Sequence, residues 1–235
     1  MKEFTTYSPA MLKIFEQCKK KFEYKYVKGI SIPVDTSKMQ QGKNIHALAN
    51  YYLMGNDISK FEPTLNEKEK EAWNNLKNNE FFNLKYVNSE YNLSCKVGDF
   101  WIGGRLDAVV KQEDVSITTP TYNSNETPKT QETIYYILDY KTGSIPKNPE
   151  TDYQTMVYLL CLSGAQFINP QDNLKFVYID LKSNQNCVID FNQDIKSKYE
   201  KAIIQICSSI ENAQYPEDIE HKKMCDFCEF KKICM

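Results

Sequence analysis

The chain has 235 residues, 26% of them charged and 41% hydrophobic, and a formal net charge of −2. This length allows one sizeable core, and a charge so near zero gives no support by itself for a nucleic-acid partner. The longest apolar run, Met156–Leu162, is far too short to cross a membrane, and no signal-like apolar region follows Met1. We therefore expect a single-domain cytoplasmic protein that makes no membrane contact.

The distribution of charge and of cysteine is more informative than the totals. Residues 1–30 contain seven lysines and three glutamates, and residues 221–235 contain four lysines and two acidic residues. Two basic ends around an acidic middle fit a DNA-facing surface or, more simply, lysines that solvate helix faces. Eight cysteines in an intracellular chain favour metal or cluster ligation over disulfides.

The first third of the chain predicts helices. Ser8 followed by Pro9 is typical of a helix start, with Ser8 as N-cap and Pro9 as the first helical residue. Two further helices are predicted at about residues 40–54 and 67–79, the second of them polar and without candidate chemistry.

From residue 86 the hydrophobic period changes to two, which predicts paired strands over 86–96 and 100–110 around a turn at 97–99. Residues 111–133 are polar and aperiodic, and they predict an exposed insertion. The later elements are predicted as a strand over 135–143, a helix over 152–163, strands over 174–181 and 185–190, and a helix over 195–211.

The strand over 135–143 ends in an unusual pair. Asp139 and Lys141 are two residues apart, so both side chains project from one face of the strand. A carboxylate and an ammonium at the end of an apolar strand are costly unless they are paired or used. The pair is therefore a candidate catalytic site, or else a tolerated ion pair at a strand end.

Two more residues offer metal ligands. His46 lies on the second predicted helix, four residues after Gly42, which leaves room for a close neighbour. Asp107 interrupts an apolar strand after two glycines, either as an edge-strand residue facing water or as a ligand. With Asp139 they provide carboxylates and one imidazole, a set that suits Mg²⁺ or Mn²⁺. Such a metal activates water for phosphodiester hydrolysis, and Lys141 could orient that water.

These motifs, in this order, resemble those of the PD-(D/E)XK nuclease superfamily, and more closely its branch of CRISPR-associated Cas-four nucleases and RecB/AddB-type exonucleases. The resemblance spans nearly the whole chain. It rests on Tyr7-Ser8-Pro9 followed by Cys18, Gly42-x-x-x-His46, Gly104-x-x-Asp107, Asp139-x-Lys141 and Gln154-x-x-x-Tyr158. The chain departs from the branch in having no proline before Asp107 and in its insertion at 111–133, which bears on substrate access.

The resemblance implies a fold. The expected class is α/β, with a restriction-endonuclease-like core in which helices flank a central mixed β-sheet, a helical N-terminal segment, and termini stapled by an iron–sulfur cluster. The chain would form a single nuclease domain, with residues 1–30 and 212–235 making the cysteine-cluster lobe.

The resemblance also implies roles for individual residues. The metal ligands would be His46, Asp107, Asp139 and the backbone carbonyl of Tyr140. The catalytic residues would be Asp107, Asp139, Lys141, Gln154 and Tyr158, the last two being associated with DNA contact and support of the active site.

Four cysteines near the chain ends fit the same branch. Cys225-x-x-Cys228 and Cys234 provide three thiolates and Cys18 a fourth, a layout that holds a [4Fe–4S] cluster in the branch. Four thiolates also suit zinc, and spacing alone does not separate the two, so the preference for iron–sulfur rests on the resemblance. The other cysteines are expected to be core thiols: Cys95, Cys161, Cys187 and Cys207.

The leading functional hypothesis is a metal-dependent DNA exonuclease acting at single-stranded ends. CRISPR spacer acquisition and RecB-like repair or phage-associated digestion remain open, with adaptation proteins or a helicase as partners. One alternative is a DNA-end-binding module that no longer cuts, although a pure binder needs no carboxylate cluster beside phosphates. Another is a four-thiolate zinc protein with an unrelated core.

Overall fold

The alternating and apolar runs in the middle of the chain form one five-stranded sheet. The structure is a computed structural model that describes residues 4–33, 37–113, 133–169, 171–215 and 223–234. The strands are β1 (Lys85–Val97), β2 (Phe100–Glu113), β3 (Thr133–Lys141), β4 (Asn173–Asp180) and β5 (Gln185–Phe191). They lie in the sheet in their sequence order, and neighbours are antiparallel except for the parallel pair β3 and β4.

Seven α-helices accompany the sheet within the described residues. They are α1 (Pro9–Gln17), α2 (Lys19–Phe22), α3 (Ser37–Leu53), α4 (Glu67–Lys77), α5 (Tyr153–Ser163), α6 (Gln193–Glu211) and α7 (Lys231–Cys234). A π-helical turn follows α2 at Glu23–Val27, and 3₁₀ turns occur at Glu62–Thr64, Pro149–Thr151 and Lys223–Phe227. The expected α/β architecture, a central mixed sheet flanked by helices, is thereby confirmed.

The sheet separates two apolar layers. One layer packs the sheet against α1, α5 and α6, and the other packs it against α3 and α4. Strand β3 serves both layers, because Tyr135 and Ile137 face the first while Tyr136 and Leu138 face the second. This double burial explains why the sequence of β3 is a continuous apolar run rather than an alternating one.

The N-terminal segment begins as the sequence predicts. The side chain of Ser8 accepts a hydrogen bond from the amide of Met11 at 3.3 Å, and Pro9 is the first helical residue. The helix breaks at Cys18, whose backbone is extended and whose sulfur accepts from the amide of Lys21 at 3.4 Å. Cys18 thereby caps the short helix α2.

The predicted insertion at 111–133 has narrower bounds in the structure. Strand β2 continues to Glu113, which pairs with Thr133 at the start of β3, so four of the predicted loop residues belong to the sheet. The hydrophobic pattern does not reveal this strand end, because its residues are polar. Glu113 forms ion pairs with Lys85 and Lys111 at 3.0 and 2.7 Å. Residues 114–132 lie outside the described part of the chain.

Helix α5 connects the two parallel strands and is buried on nearly every side. All but two of its residues are buried, which accounts for the apolar run Met156–Leu162. Because a parallel pair needs a crossover connection, the chain lays α5 across the sheet directly after β3. Across the described ranges, no helix has the length and apolar character needed to span a membrane.

Candidate active site

The candidate site lies where β2 and β3 part. Their pairing ends at Ala108 and Leu138, one residue short of Asp107 and Asp139. Beyond this point Asp107 Oδ2 accepts a hydrogen bond from the backbone amide of Tyr140 at 3.1 Å. This bond satisfies an N–H group that has no partner in the pairing of β2 with β3. Strand β2 has a neighbour on each side, so the edge-strand interpretation of Asp107 is wrong. We call this place the strand fork.

Helix α3 brings His46 to the strand fork. Its Nδ1 lies 3.0 Å from Asp107 Oδ1, and its Nε2 lies 3.1 Å from the carbonyl oxygen of Tyr140. Gly42 makes the approach possible, since a Cβ there would lie 3.2 Å from the hydroxyl oxygen of Thr142. The close neighbour expected from Gly42 is thus the segment that follows β3.

The hydrogen bonds of His46 favour its charged form. Burial disfavours the imidazolium, but the hydrogen bond to Asp107 and the charge of that carboxylate outweigh it, so the pKa of His46 is raised. Both ring nitrogens contact oxygen acceptors, which only the doubly protonated ring can satisfy. A metal held by Nε2 of this ring and by the Tyr140 carbonyl would replace the contact between those two atoms and displace the Nε2 proton.

Strand β1 adds Glu90, which the sequence prediction missed. Its neighbours Ser89 and Tyr91 pair with Ala108 and Leu106, so Glu90 faces Asp107 across the two strands. One ligand atom from each of His46, Glu90 and Asp107 lies within 4.8 Å of the others. We call these three residues the metal group.

The metal group has the chemistry expected of a cation site. Two carboxylates that face each other across strands repel one another, and a cation between them would remove that repulsion. Glu90 also has a φ of +49°, a left-handed conformation that is unfavourable for a residue with a side chain. The donor set of two carboxylates and one imidazole fits Mg²⁺ or Mn²⁺.

Asp139 forms a second half of the site and is not one of the metal group. The residue is only 2% exposed, and burial, followed by the charge of Asp107, raises the pKa of its carboxyl to about 7. Its Oδ2 forms an ion pair with Nζ of Lys141 at 2.6 Å. Its Oδ1 accepts a hydrogen bond from the side-chain amide of Gln154.

Gln154, near the start of α5, joins the groups of this second half. Its Nε2 donates to Asp139, and its Oε1 accepts from Nζ of Lys141 at 3.0 Å. The backbone amide of Gln154 donates a hydrogen bond to the side chain of Asp152, the N-cap of α5, at 3.0 Å. The ammonium of Lys141 also lies 5.5 Å from the centre of the Tyr178 ring.

Tyr158 lies one turn further along α5 and supports β2. Its hydroxyl donates to the carbonyl oxygen of Arg105 at 2.7 Å. Its ring occupies the space beside Gly104, where an added Cβ would lie 2.8 Å from Cε1. Gly104 is therefore needed for the close approach of Tyr158 to β2.

The two chain ends contact each other through α2 and the π-helical turn that follows it. Lys21 forms an ion pair with Glu229 at 2.8 Å, and the hydroxyl of Tyr24 donates to the carbonyl of Ile233 at 3.2 Å. Burial raises the pKa of the Cys234 thiol, and so do the charges of the three other candidate ligands: Cys18, Cys228 and Cys225.

Four thiolates suit either a [4Fe–4S] cluster or a single zinc ion. Among the described residues, no three of these thiols bring their sulfurs within 4.8 Å of one another, as the metal group does with its ligand atoms. The other cysteines lie buried or half-buried elsewhere: Cys95, Cys161, Cys187 and Cys207.

Comparison with known proteins adds a family match and a shared fold. The sequence profile of the PD-(D/E)XK nuclease superfamily matches residues 128–235, which include Asp139, Lys141 and helix α5 but exclude the metal group. No curated protein matches the chain. An unrelated core, the basis of the zinc-protein alternative, is at odds with the family match.

Two solved structures align with most of the chain. One is the crystal structure of a protein from Eubacterium rectale named as a candidate exonuclease, with a TM-score of 0.54 and 10% sequence identity. That alignment covers 95% of this chain and 88% of the other, and it shows a shared fold. The crystal structure of SSO0001 aligns with 100% of this chain and 87% of its own, at 17% identity and a TM-score of 0.46.

Proposed function

We propose that this chain, whose residues 128–235 match the PD-(D/E)XK nuclease superfamily, is a divalent-metal-dependent DNA exonuclease acting at single-stranded ends. The observation that carries the proposal is the metal group beside the Asp139–Lys141 pair at one strand fork. The family match supports a nuclease. The preference for single-stranded ends comes from the resemblance to the Cas-four and RecB/AddB branch.

The residues that would hold the cation are His46, Glu90 and Asp107, with Asp139 and the Tyr140 carbonyl next to them. A bound Mg²⁺ or Mn²⁺ supplies polarisation of a phosphodiester oxygen and a lowered pKa for a coordinated water. Asp107 orients His46 through its 3.0 Å contact, and orienting contacts of this kind raise the ligand strength of an imidazole.

Lys141 provides the positive charge that the reaction needs on the protein side. Gln154 fixes its ammonium through a 3.0 Å hydrogen bond that does not depend on the charge of Asp139. From this position the ammonium can orient the attacking water and stabilise the charge that develops on the phosphate. Gln154 is thus a positioning residue for Lys141, and Tyr158 is a positioning residue for β2.

We also propose that the thiolates of Cys18, Cys225, Cys228 and Cys234 hold a [4Fe–4S] cluster that joins the two chain ends. The support is the resemblance of the four-cysteine layout to that of the Cas-four and RecB/AddB branch, together with the contacts that join the two chain ends. The proposed role is structural, because the cluster would join the two chain ends and none of its four thiols belongs to the metal group.

A nuclease assay on the intact protein tests the main proposal. Protein purified without oxygen is incubated with end-labelled single-stranded DNA and either Mn²⁺ or Mg²⁺. Nucleotide release should vanish in Lys141→Ala and persist in Lys147→Ala, an exposed lysine beyond β3. If wild type binds DNA but never cuts with either metal, the protein is a DNA-end-binding module instead.

The cluster proposal has a separate readout. Protein purified without oxygen should be coloured and contain about four iron atoms per chain. Cys18→Ser should lower the iron content, whereas Cys187→Ser should not. A colourless protein with one zinc would remove the cluster and leave the nuclease proposal standing.

A further inference from the structure

Arg105 stands out because it is the only arginine in the chain. The other 28 of the 29 basic residues counted in the sequence are lysines. Arg105 lies on β2 two residues before Asp107, so both side chains project from the same side of the strand. The side chain is 63% exposed, at the open edge of the metal group.

One edge of the guanidinium is fixed. Its Nε lies 2.8 Å from Oε2 of Glu90, a residue of the metal group. The peptide carbonyl of Arg105 accepts the 2.7 Å hydrogen bond from the hydroxyl of Tyr158, so the backbone at Arg105 is also held in position. Within the described ranges the exposed side chain makes no other ion pair or hydrogen bond, so its two terminal nitrogens are available to a ligand.

The chemistry of such a group is specific. A guanidinium offers donors in a rigid, planar fork that matches two oxygens of a phosphate, whereas an ammonium is a point charge on a flexible stem. A carboxylate that binds Nε keeps the guanidinium oriented, so less side-chain freedom is lost when a phosphate binds. Lys141 lies in the other half of the site, so the two cations would approach a bound strand from different sides.

We propose that Arg105 binds a phosphate of the substrate strand next to the metal group, through its two terminal nitrogens. The ligand class is a phosphodiester of single-stranded DNA, and the inference rests on the proposed nuclease function. The competing explanation is that Arg105 only neutralises Glu90. Neutralising Glu90 would need no exposed guanidinium nitrogens, and a lysine would do it equally well.

Binding of a fluorescent single-stranded oligonucleotide, measured by anisotropy with Ca²⁺ in place of Mn²⁺, tests the proposal. Arg105→Gln should weaken binding about tenfold or more, and it should lower the slope of log Kd against log salt by about 0.7, the share of one phosphate. Arg105→Lys should keep the slope but recover only part of the affinity. Lys96→Gln, an exposed lysine on β1, should change affinity by less than about twofold.

A second measurement excludes a purely structural role. Oligonucleotides that each carry one neutral methylphosphonate, moved along the strand, should show one position where wild type loses affinity and Arg105→Gln does not. Thermal midpoints of the variants check that they are folded. Equal affinity and equal salt slopes for wild type and Arg105→Gln would overturn the proposal, and so would a methylphosphonate pattern that the substitution leaves unchanged.

The outcome for the nuclease proposal is read separately. If wild type releases nucleotides and Arg105→Gln does so with the same KM, only the role of Arg105 is lost. If wild type neither binds nor cuts single-stranded DNA with any of the metals, the nuclease function fails and the role of Arg105 fails with it.

Discussion

Glu90 holds its position at the strand fork despite two unfavourable conditions. It faces a second carboxylate, Asp107, and its backbone has a φ of +49°. Each condition alone destabilises the fold, and residues in such conformations are concentrated at functional sites. The proposed metal-binding role would explain why a glutamate rather than a glycine or an asparagine occupies this position.

Replacing Glu90 should therefore weaken metal binding. Glu90→Gln removes one anionic ligand, and we expect Mn²⁺ affinity to fall by about tenfold or more, since even supporting partners of metal ligands contribute 10- to 100-fold. Isothermal titration calorimetry with Mn²⁺ measures the change. Glu71→Gln, an exposed position on α4, serves as the matched control, and unchanged affinity in Glu90→Gln would remove Glu90 from the ligand set.

Asp139 predicts a pH dependence of metal binding. Its carboxyl has a pKa of about 7, so at about pH 6 it is largely protonated and must lose a proton to support a cation. We expect Mn²⁺ binding to release more protons at pH 6 than at pH 8.5, with His46 contributing in the same direction. Calorimetry in buffers with different ionisation enthalpies gives the number of protons released per bound Mn²⁺. Asp139→Asn should release fewer protons at pH 6, and equal release would contradict the prediction.

The same carboxyl affects the stability of the metal-free protein. Its pKa in the folded state lies above the ordinary value of 3.8, so the folded state binds more protons than the unfolded state between about pH 4 and pH 7. This group therefore lowers the free energy of unfolding as pH rises through that window. Thermal midpoints recorded in EDTA should show a smaller decline for Asp139→Asn than for wild type.

The sequence predicted the residues of the site better than their arrangement. The pattern of Asp139 and Lys141 on one strand followed from a period of two, and the structure places them together with Gln154. Glu90 was missed although its signal was present. The turn at Gly98 sets Val97 opposite Phe100, and counting outward from that pair puts residue 90 opposite Asp107.

At the scale of whole elements, α5 sets the shape of the strand fork. It brings Gln154 to the Asp139–Lys141 pair and Tyr158 to β2 within one helix. Residues four apart share a helix face, so a small shift of α5 moves both contacts together. The position of α5 depends on the absence of a side chain at Gly104, which the ring of Tyr158 covers.

A methyl group at that position should be poorly tolerated. Gly104→Ala would place a Cβ 2.8 Å from the Tyr158 ring, and we expect the free energy of unfolding to fall by about 1–3 kcal/mol. Gly143→Ala is the matched control, because a Cβ there meets nothing within 4 Å, and its effect should stay within about 0.5 kcal/mol. Urea denaturation measures both, and equal stabilities would show that α5 is free to move away.

Element types were predictable, and their ends were less so. The strands and the later helices follow their hydrophobic periods closely, as in β4 and α6. Helix α3 starts three residues earlier than its apolar pattern, because its first turn is polar. The break at Cys18 had no local signal, since lysines and aromatic residues continue on both sides without a proline or a glycine.

At the scale of the whole molecule, the N-terminal segment is packed into the core more firmly than the described C-terminal residues are. The first helices bury Leu12, Phe15 and Phe22 in the layer that also contains α5 and α6. The described C-terminal residues bury only one large side chain, Phe230, which lies against Tyr24. Loss of the proposed cluster should therefore release the C-terminal segment first, and hydrogen exchange on oxidised protein should show faster exchange there than in α1.

The sheet also separates the strand fork from the other end of the same two strands. Glu113 lies six residues beyond Asp107 along β2, and Thr133 lies six residues before Asp139 along β3, a distance of about 20 Å. The chain between Glu113 and Thr133 leaves and re-enters the sheet side by side at that far end. The expected influence of the insertion on substrate access would have to act across this distance.

The far end is therefore a natural attachment point for engineering. Replacing residues 114–132 with a short Gly-Ser linker should leave nucleotide release within about twofold of wild type, because the pairing of Glu113 with Thr133 already closes the hairpin. A fluorophore, an affinity tag or a second protein domain spliced there would travel with the enzyme and leave its catalytic end unobstructed.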